Sequence, residues 1–178
     1  ERWSWVLSLP DRMRWTTASI DPASLLNAAE LSAAGRMKMI DGDMEEVLPG
    51  VDLHLARDSH TYGSMWVAVR NDGGKASKDV WVLAGDLVCQ FDNLVHDGSL
   101  IDVDTMYNPG AQTVGSYTNI ILAMEEMMKR VDFEDRRIIP IHEQRLGRRF
   151  PSRVTAEDLS ITEICLADGA ASAVAQDV

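Results

Sequence analysis

Apolar and polar positions change period several times along this chain, and each change predicts an element. Over residues 22–34 the period is helical. Leu25, Leu26, Ala29 and Ala33 share one side, Pro22 suits an early helix position, and Gly35 suits the stop. Met37 and Met39 then alternate with Arg36 and Lys38, the period of a half-buried strand. Val51, Leu53 and Leu55 alternate with Asp52, His54 and Ala56 and predict a second strand. Residues 65–69 and 80–83 read as two further strands, separated by the hairpin signal Asn71-Asp72-Gly73-Gly74. Over 116–131, Ile120, Ile121, Met124, Met127, Met128 and Val131 recur at helical spacing and form a core-facing stripe. Glu125 with Lys129 and Glu126 with Arg130 make (i, i+4) pairs on the other side. Residues 137–141 predict a buried strand, 142–149 a short helix, and 160–166 a last strand.

Helices that alternate with strands after a hairpin-rich opening predict a layered α/β or α+β fold. We expect one domain over 1–178 with a frayed tail over 170–178. Residues 93–115 are polar and contain the turn Tyr107-Asn108-Pro109-Gly110, the candidate substrate-facing loop. Trp3, Trp5 and Trp15 cluster near the start and read as core or interface packing.

Composition narrows the function classes. The chain has 178 residues, 46% hydrophobic and 25% charged, which is ordinary globular material able to bury a core. Its 28 acidic and 17 basic side chains give a formal net charge of −11. That charge argues against a nucleic-acid partner, which requires a concentrated basic surface. Arg145, Arg148, Arg149 and Arg153 form the basic cluster and read as a solvated helix face. No apolar run is long enough to span a bilayer, so no membrane partner is expected. Cys89 and Cys165 have neither a disulfide-framework nor a zinc-knuckle spacing, and reduced thiols in a cytoplasm are the expectation.

Three segments place potential metal ligands at or just past the ends of apolar runs. They are Asp58-Ser59-His60-Thr61-Tyr62-Gly63-Ser64, Val82-Leu83-Ala84-Gly85-Asp86 and Ile138-Ile139-Pro140-Ile141-His142-Glu143. Strand ends are where an α/β fold gathers its chemistry. Two imidazoles and a carboxylate suit zinc and similar divalent ions. A carboxylate such as Asp86 has two oxygens with which to bridge two ions. Thr61 and Ser64 read as hydrogen-bonding partners within the first loop. Asp58 reads either as an orienting partner of His60 or as a turn residue. His54 and His96 read as structural or surface residues, and Glu143 as a helix-start residue.

In order and interval these segments resemble the second half of the metallo-β-lactamase superfamily, most closely its lactonase-like hydrolases. The resemblance covers the chain from about residue 50 onward. It implies an αββα sandwich of which this chain is a C-terminal portion. It also implies a zinc centre, two ions in the complete protein, with His60, Asp86 and His142 as metal ligands and Asp86 as the bridging, catalytic carboxylate. The superfamily's His-x-His-x-Asp-His signature is absent from these 178 residues. The remaining ligands are therefore expected on an upstream N-terminal segment, and this chain alone is expected to be inactive.

The implied activity is hydrolysis of a small molecule, with metal-bound hydroxide attacking an ester or lactone carbonyl. Two alternatives stay open: hydrolytic dehalogenation of an activated aromatic at the same site, and a non-catalytic relative that folds with a complementary chain. Homo-oligomerisation is also open. Cys89 stands where the lactonase pattern carries a Tyr, while Asn93 keeps the register. A thiol has neither the reach nor the hydrogen bond of a phenol, so a homoserine-lactone substrate is not the expectation.

Overall fold

The structure, a computed structural model, describes residues 22–61, 63–94, 116–157 and 159–174. Trp3, Trp5, Trp15, Tyr62, His96 and residues 95–115 of the loop expected over 93–115 lie outside the described residues. Backbone contacts divide the chain into two units, Glu1–Asp41 and Gly42–Val178.

In the first unit, α1 spans Pro22–Ala33. Its end follows from Gly35, whose φ of +67° closes the last turn. The Arg36 N–H then reaches back to the Leu31 carbonyl at 2.9 Å, the bond that satisfies a terminal helix acceptor. Met37 and Met39 do not form the expected strand. Two alternating residues carry too little apolar surface to hold an extended segment without a pairing partner.

The second unit is built on a five-stranded sheet in the order β1-β2-β3-β4-β5. β1 (Met44–Leu48), β2 (Val51–Arg57), β3 (Gly63–Arg70) and β4 (Val80–Leu83) pair antiparallel in sequence. β5 (Ile138–Ile139) joins β4 in parallel. A separate antiparallel hairpin pairs β6 (Ser152–Ala156) with β7 (Leu159–Thr162). Helix α2 spans Tyr117–Arg130, and α3 is a single turn, Leu146–Arg149. The architecture is mixed α+β. Among the described residues no helix is long and apolar enough to cross a membrane.

Three expected elements are shorter than their patterns suggested, and two strands carried no pattern. The strand over 137–141 contracts to two residues because Pro140 removes a ladder donor. The helix over 142–149 contracts to its last turn, and the final strand begins earlier, at Leu159. β1 (Met-Glu-Glu-Val-Leu) and β6 (Ser-Arg-Val-Thr-Ala) have largely exposed side chains, so apolar periodicity does not mark them.

The core lies between α2 and one sheet face. The α2 stripe buries Ile120, Ala123, Met124, Met127 and Met128, and Val131 follows it. On the sheet, register places Asp52, Ala56, Trp66, Ala68, Arg70, Val80, Val82 and Ile138 on one face, all buried. Val51, Leu53 and Leu55, the apolar side of β2 by pattern, sit on the opposite face and are only half-buried. The more buried side of β2 thus carries a charge, Asp52.

That charge is neutralised locally. Asp52 accepts from Arg70 and from Arg130 Nη2, the latter at 3.1 Å, and Glu46 also pairs with Arg70. The Glu46 N–H donates to Asp52 at 2.9 Å. A bulge in β1, with Glu46 at φ +54°, turns that residue toward the cluster. Arg130 is therefore drawn to Asp52 across the helix–sheet interface, while Glu125 keeps its (i, i+4) pair with Lys129 at 2.6 Å.

Candidate metal centre

His60, Asp86 and His142 come from three different connections, and strand direction explains why they meet. β4 and β5 run parallel, in register through Val82 opposite Ile138 and Leu83 opposite Ile139. Both chains therefore leave the sheet at the same end. β3 runs antiparallel to β4, with Val67 opposite Leu83, so the turn before β3 lies at that end too.

Each turn has a local cause. After β4, Gly85 takes φ +56°, a conformation that costs most residues strain, and opens a 3-10 turn, Gly85–Leu87, that carries Asp86. Between β2 and β3, Asp58 sits at φ +48°, and its carbonyl accepts from the Ser116 N–H at 2.8 Å and from Asn119 Nδ2 at 3.2 Å. The start of α2 thus holds the His60 turn. Ser64 Oγ accepts the Thr61 N–H at 2.8 Å and lies 2.9 Å from Thr61 Oγ1, which closes the loop just after His60.

The three side chains converge on Asp86. His142 Nε2 lies 3.0 Å from Asp86 Oδ1, and His60 Nε2 lies 4.0 Å from Asp86 Oδ2. Each imidazole faces a different oxygen of the same carboxylate. Exposure is graded: the His60 side chain is 13% exposed, Asp86 42% and His142 55%. The cluster therefore has a protein-facing side and a side open to solvent. Among the described residues no group of three or more His, Cys, Asp or Glu side chains is arranged around a single point where it could hold a metal ion.

Nearby groups divide into supporting and unrelated ones. Cys89 is buried, its Sγ 4.0 Å from the Asp86 carbonyl, and no disulfide joins it to Cys165. The buried Asn93 side chain accepts the N–H groups of Cys89 (3.1 Å) and Gln90 (2.9 Å), fixing the turn after Asp86. His54 stacks on Trp66 with centroids 3.9 Å apart, and burial pushes its imidazole below the usual value, against the pull of Asp43. It belongs to the core, not to the centre.

Glu143 is neither at a helix start nor solvated. It is buried, and hydrogen bonds from Arg145, outweighing burial and helped by the Phe91 N–H, lower its carboxyl to about 2. No sequence signal marked its burial, which depends on the Phe91 N–H and the packing of a loop 52 residues away as well as on the neighbouring Arg145. Nor are Arg145 and Arg149 a plain solvated face. Arg145 also reaches Asp92 at 3.0 Å, and Arg149 lies 3.9 Å above the Phe91 ring and 3.1 Å from Asp135.

No family model, curated protein or solved structure matches the chain.

Proposed function

We propose that the chain contributes His60, Asp86 and His142 to a zinc-type hydrolytic centre acting on an ester or lactone. The observation that carries this reading is the pairing of two imidazoles with opposite oxygens of one carboxylate, at 3.0 and 4.0 Å. The donor set fits: neutral imidazole nitrogen and carboxylate oxygen are the ligands that zinc takes in hydrolytic sites. His60, Asp86 and His142 would hold the metal from this chain, with Asp86 supplying the carboxylate charge between the two imidazoles. The remaining positions would then fall to water, substrate and ligands on a complementary polypeptide carrying a His-x-His-x-Asp-His segment. That polypeptide, completing an αββα sandwich, is the partner this reading requires.

A divalent ion bound there would supply Lewis acidity and would lower the pKa of a bound water from 15.7 to about 7. The chain's own residues do the rest. His60 holds the buried side of the centre, and Asp86 places a negative charge between the two imidazoles. His142, the most exposed of the three, borders the side from which a substrate would approach. The buried Cys89 offers no phenol to a substrate carbonyl. That favours, as a second reading, hydrolytic displacement of halide from an activated aromatic carbon, which needs no such contact.

Elemental mass spectrometry and zinc titration of the wild-type chain and of Asp86→Ala test the proposal. Zinc uptake by the wild type and its loss in Asp86→Ala is the expected result. Equal zinc content in the two proteins would defeat the assignment of Asp86. A panel of lactones, esters and aryl halides, assayed with and without the complementary polypeptide, separates the two reactions.

A further inference from the structure

Neither turn that carries the exposed ligands is part of a regular ladder. Asp86 sits in a three-residue 3-10 turn and His142 in a turn after a two-residue strand. The β4–β5 pairing brings the two segments to one end of the sheet, and past it their relative position is set by contacts between the segments, in which Glu143 takes part. Its side chain is 2% exposed. A carboxylate held away from water is tolerated only when paired and hydrogen-bonded, and here all its bonds join the two turns or brace them.

Oε2 accepts the Phe91 N–H at 2.9 Å and Arg145 Nη2 at 2.8 Å. Oε1 accepts the Arg145 N–H at 2.8 Å and its Nε at 2.7 Å. Phe91 opens the second 3-10 turn after Asp86, so the first of these bonds crosses from the His142 segment to the Asp86 segment. Two backbone bonds run beside it, Ile141 N–H to the Val88 carbonyl at 3.2 Å and His142 N–H to the Cys89 carbonyl at 3.1 Å. Arg145 completes a second crossing by reaching Asp92 at 3.0 Å.

We propose that Glu143 is a positioning residue of the candidate centre: its buried carboxylate clamps the His142 turn onto the Phe91–Asn93 turn that follows Asp86 and thereby helps set the spacing of those two ligands. The consequence for metal binding rests on the function proposed above; the clamp itself does not. Glu143→Gln isolates the effect because it keeps the side-chain volume. Four N–H donors now converge on the two oxygens, and an amide would turn an NH2 group toward some of them, setting donor against donor.

The test uses the full chain as wild type, Glu143→Gln, Arg145→Met, Asp86→Ala and Met127→Ala, the last a core truncation remote from the clamp. Cobalt(II), read by its visible absorption, is the metal probe. Amide hydrogen exchange of the metal-free protein is the second readout. Glu143→Gln is expected to raise the cobalt dissociation constant about 10–100-fold and to change the shape of the spectrum. In the metal-free protein it should speed exchange at Phe91, Ile141 and His142 while Val82 and Ile138 stay protected. Arg145→Met removes two of the donors and leaves the carboxylate without its cation, so it should shift both readouts in the same direction, and it decides the matter if Glu143→Gln does not fold.

Wild-type cobalt affinity with unchanged loop exchange would overturn the proposal. So would exchange that rises evenly across the sheet, as expected for Met127→Ala, because that marks a purely structural residue. If the wild type takes up no cobalt, or Asp86→Ala binds it equally well, the proposed function fails, and the exchange measurement still decides the clamp.

Discussion

Asp52→Ala should be among the most destabilising single changes in this chain. The carboxylate is 2% exposed and receives Arg70, itself 3% exposed, together with Arg130 at 3.1 Å and the Glu46 N–H at 2.9 Å. Removing one partner of a buried ion pair costs about 3–5 kcal/mol, chiefly because the other charge is left without compensation. Glu46 remains beside Arg70, so the lower end, about 3 kcal/mol, is expected. In a chain of this size that lowers Tm by about 6–12 °C. With a urea m-value of about 2 kcal/mol/M it lowers the midpoint by about 1.5 M.

Urea unfolding followed by tryptophan fluorescence measures the change. The double variant Asp52→Ala/Arg70→Met should be more stable than Asp52→Ala alone, since it leaves no buried charge to desolvate. The sign with pH also follows. Burial raises the Asp52 carboxyl, but the Glu46 N–H, Arg70 and Arg130 outweigh it and hold it below its usual value. Its contribution is therefore complete above the unfolded pKa of about 3.9 and is lost as pH falls through the lower folded value. A cost under about 1 kcal/mol at pH 7, or a double variant as unstable as the sum of the singles, would refute the reasoning.

Glu143, lowered to about 2 chiefly by Arg145, should contribute at most about 3 kcal/mol above pH 4.5, lost between 4.5 and 2. The contribution is smaller in practice because Arg145 is 39% exposed. Urea midpoints of wild type and Glu143→Gln should therefore converge as pH approaches 2. Met127→Ala, at a fully buried position of α2, should cost about 2–5 kcal/mol by equilibrium unfolding with an unchanged m-value. Gly50→Ala places a Cβ 2.8 Å from the Arg70 carbonyl at φ +77°, so both the clash and the conformation oppose it. A loss of about 1–3 kcal/mol is expected, measured the same way. Burial, reinforced by Asp79, pushes the Cys165 thiol up to about 11, so at pH 8 it should alkylate far more slowly than after unfolding, which mass spectrometry over time would record.

Local pattern made the helices and the central strands legible. The stripe from Ile120 to Val131 and the alternation from Val51 to Ala56 are properties of neighbouring residues, and helix and strand periods act over a few positions. The candidate ligands were legible for a related reason: each ends an apolar run, and their order resembles a known arrangement. β1 and β6 were not legible, because edge strands with exposed side chains are held by backbone pairing, which leaves no apolar period.

Residue type and local period mark which residues can be ligands and which stretches can be strands. That the chain leaves β4 and β5 at the same end, so that His142 comes to 3.0 Å from Asp86, follows from the folded sheet. The burial of Asp52 on the core face and of Glu143 between two turns follows from it as well. A lone acidic residue in a sequence reads as solvated, since an unpaired buried charge is prohibitive. Its partners here are 18 and 78 residues away for Asp52, and 52 for the Phe91 bond of Glu143. Pairings of that range exist only once the sheet and helix have brought them together.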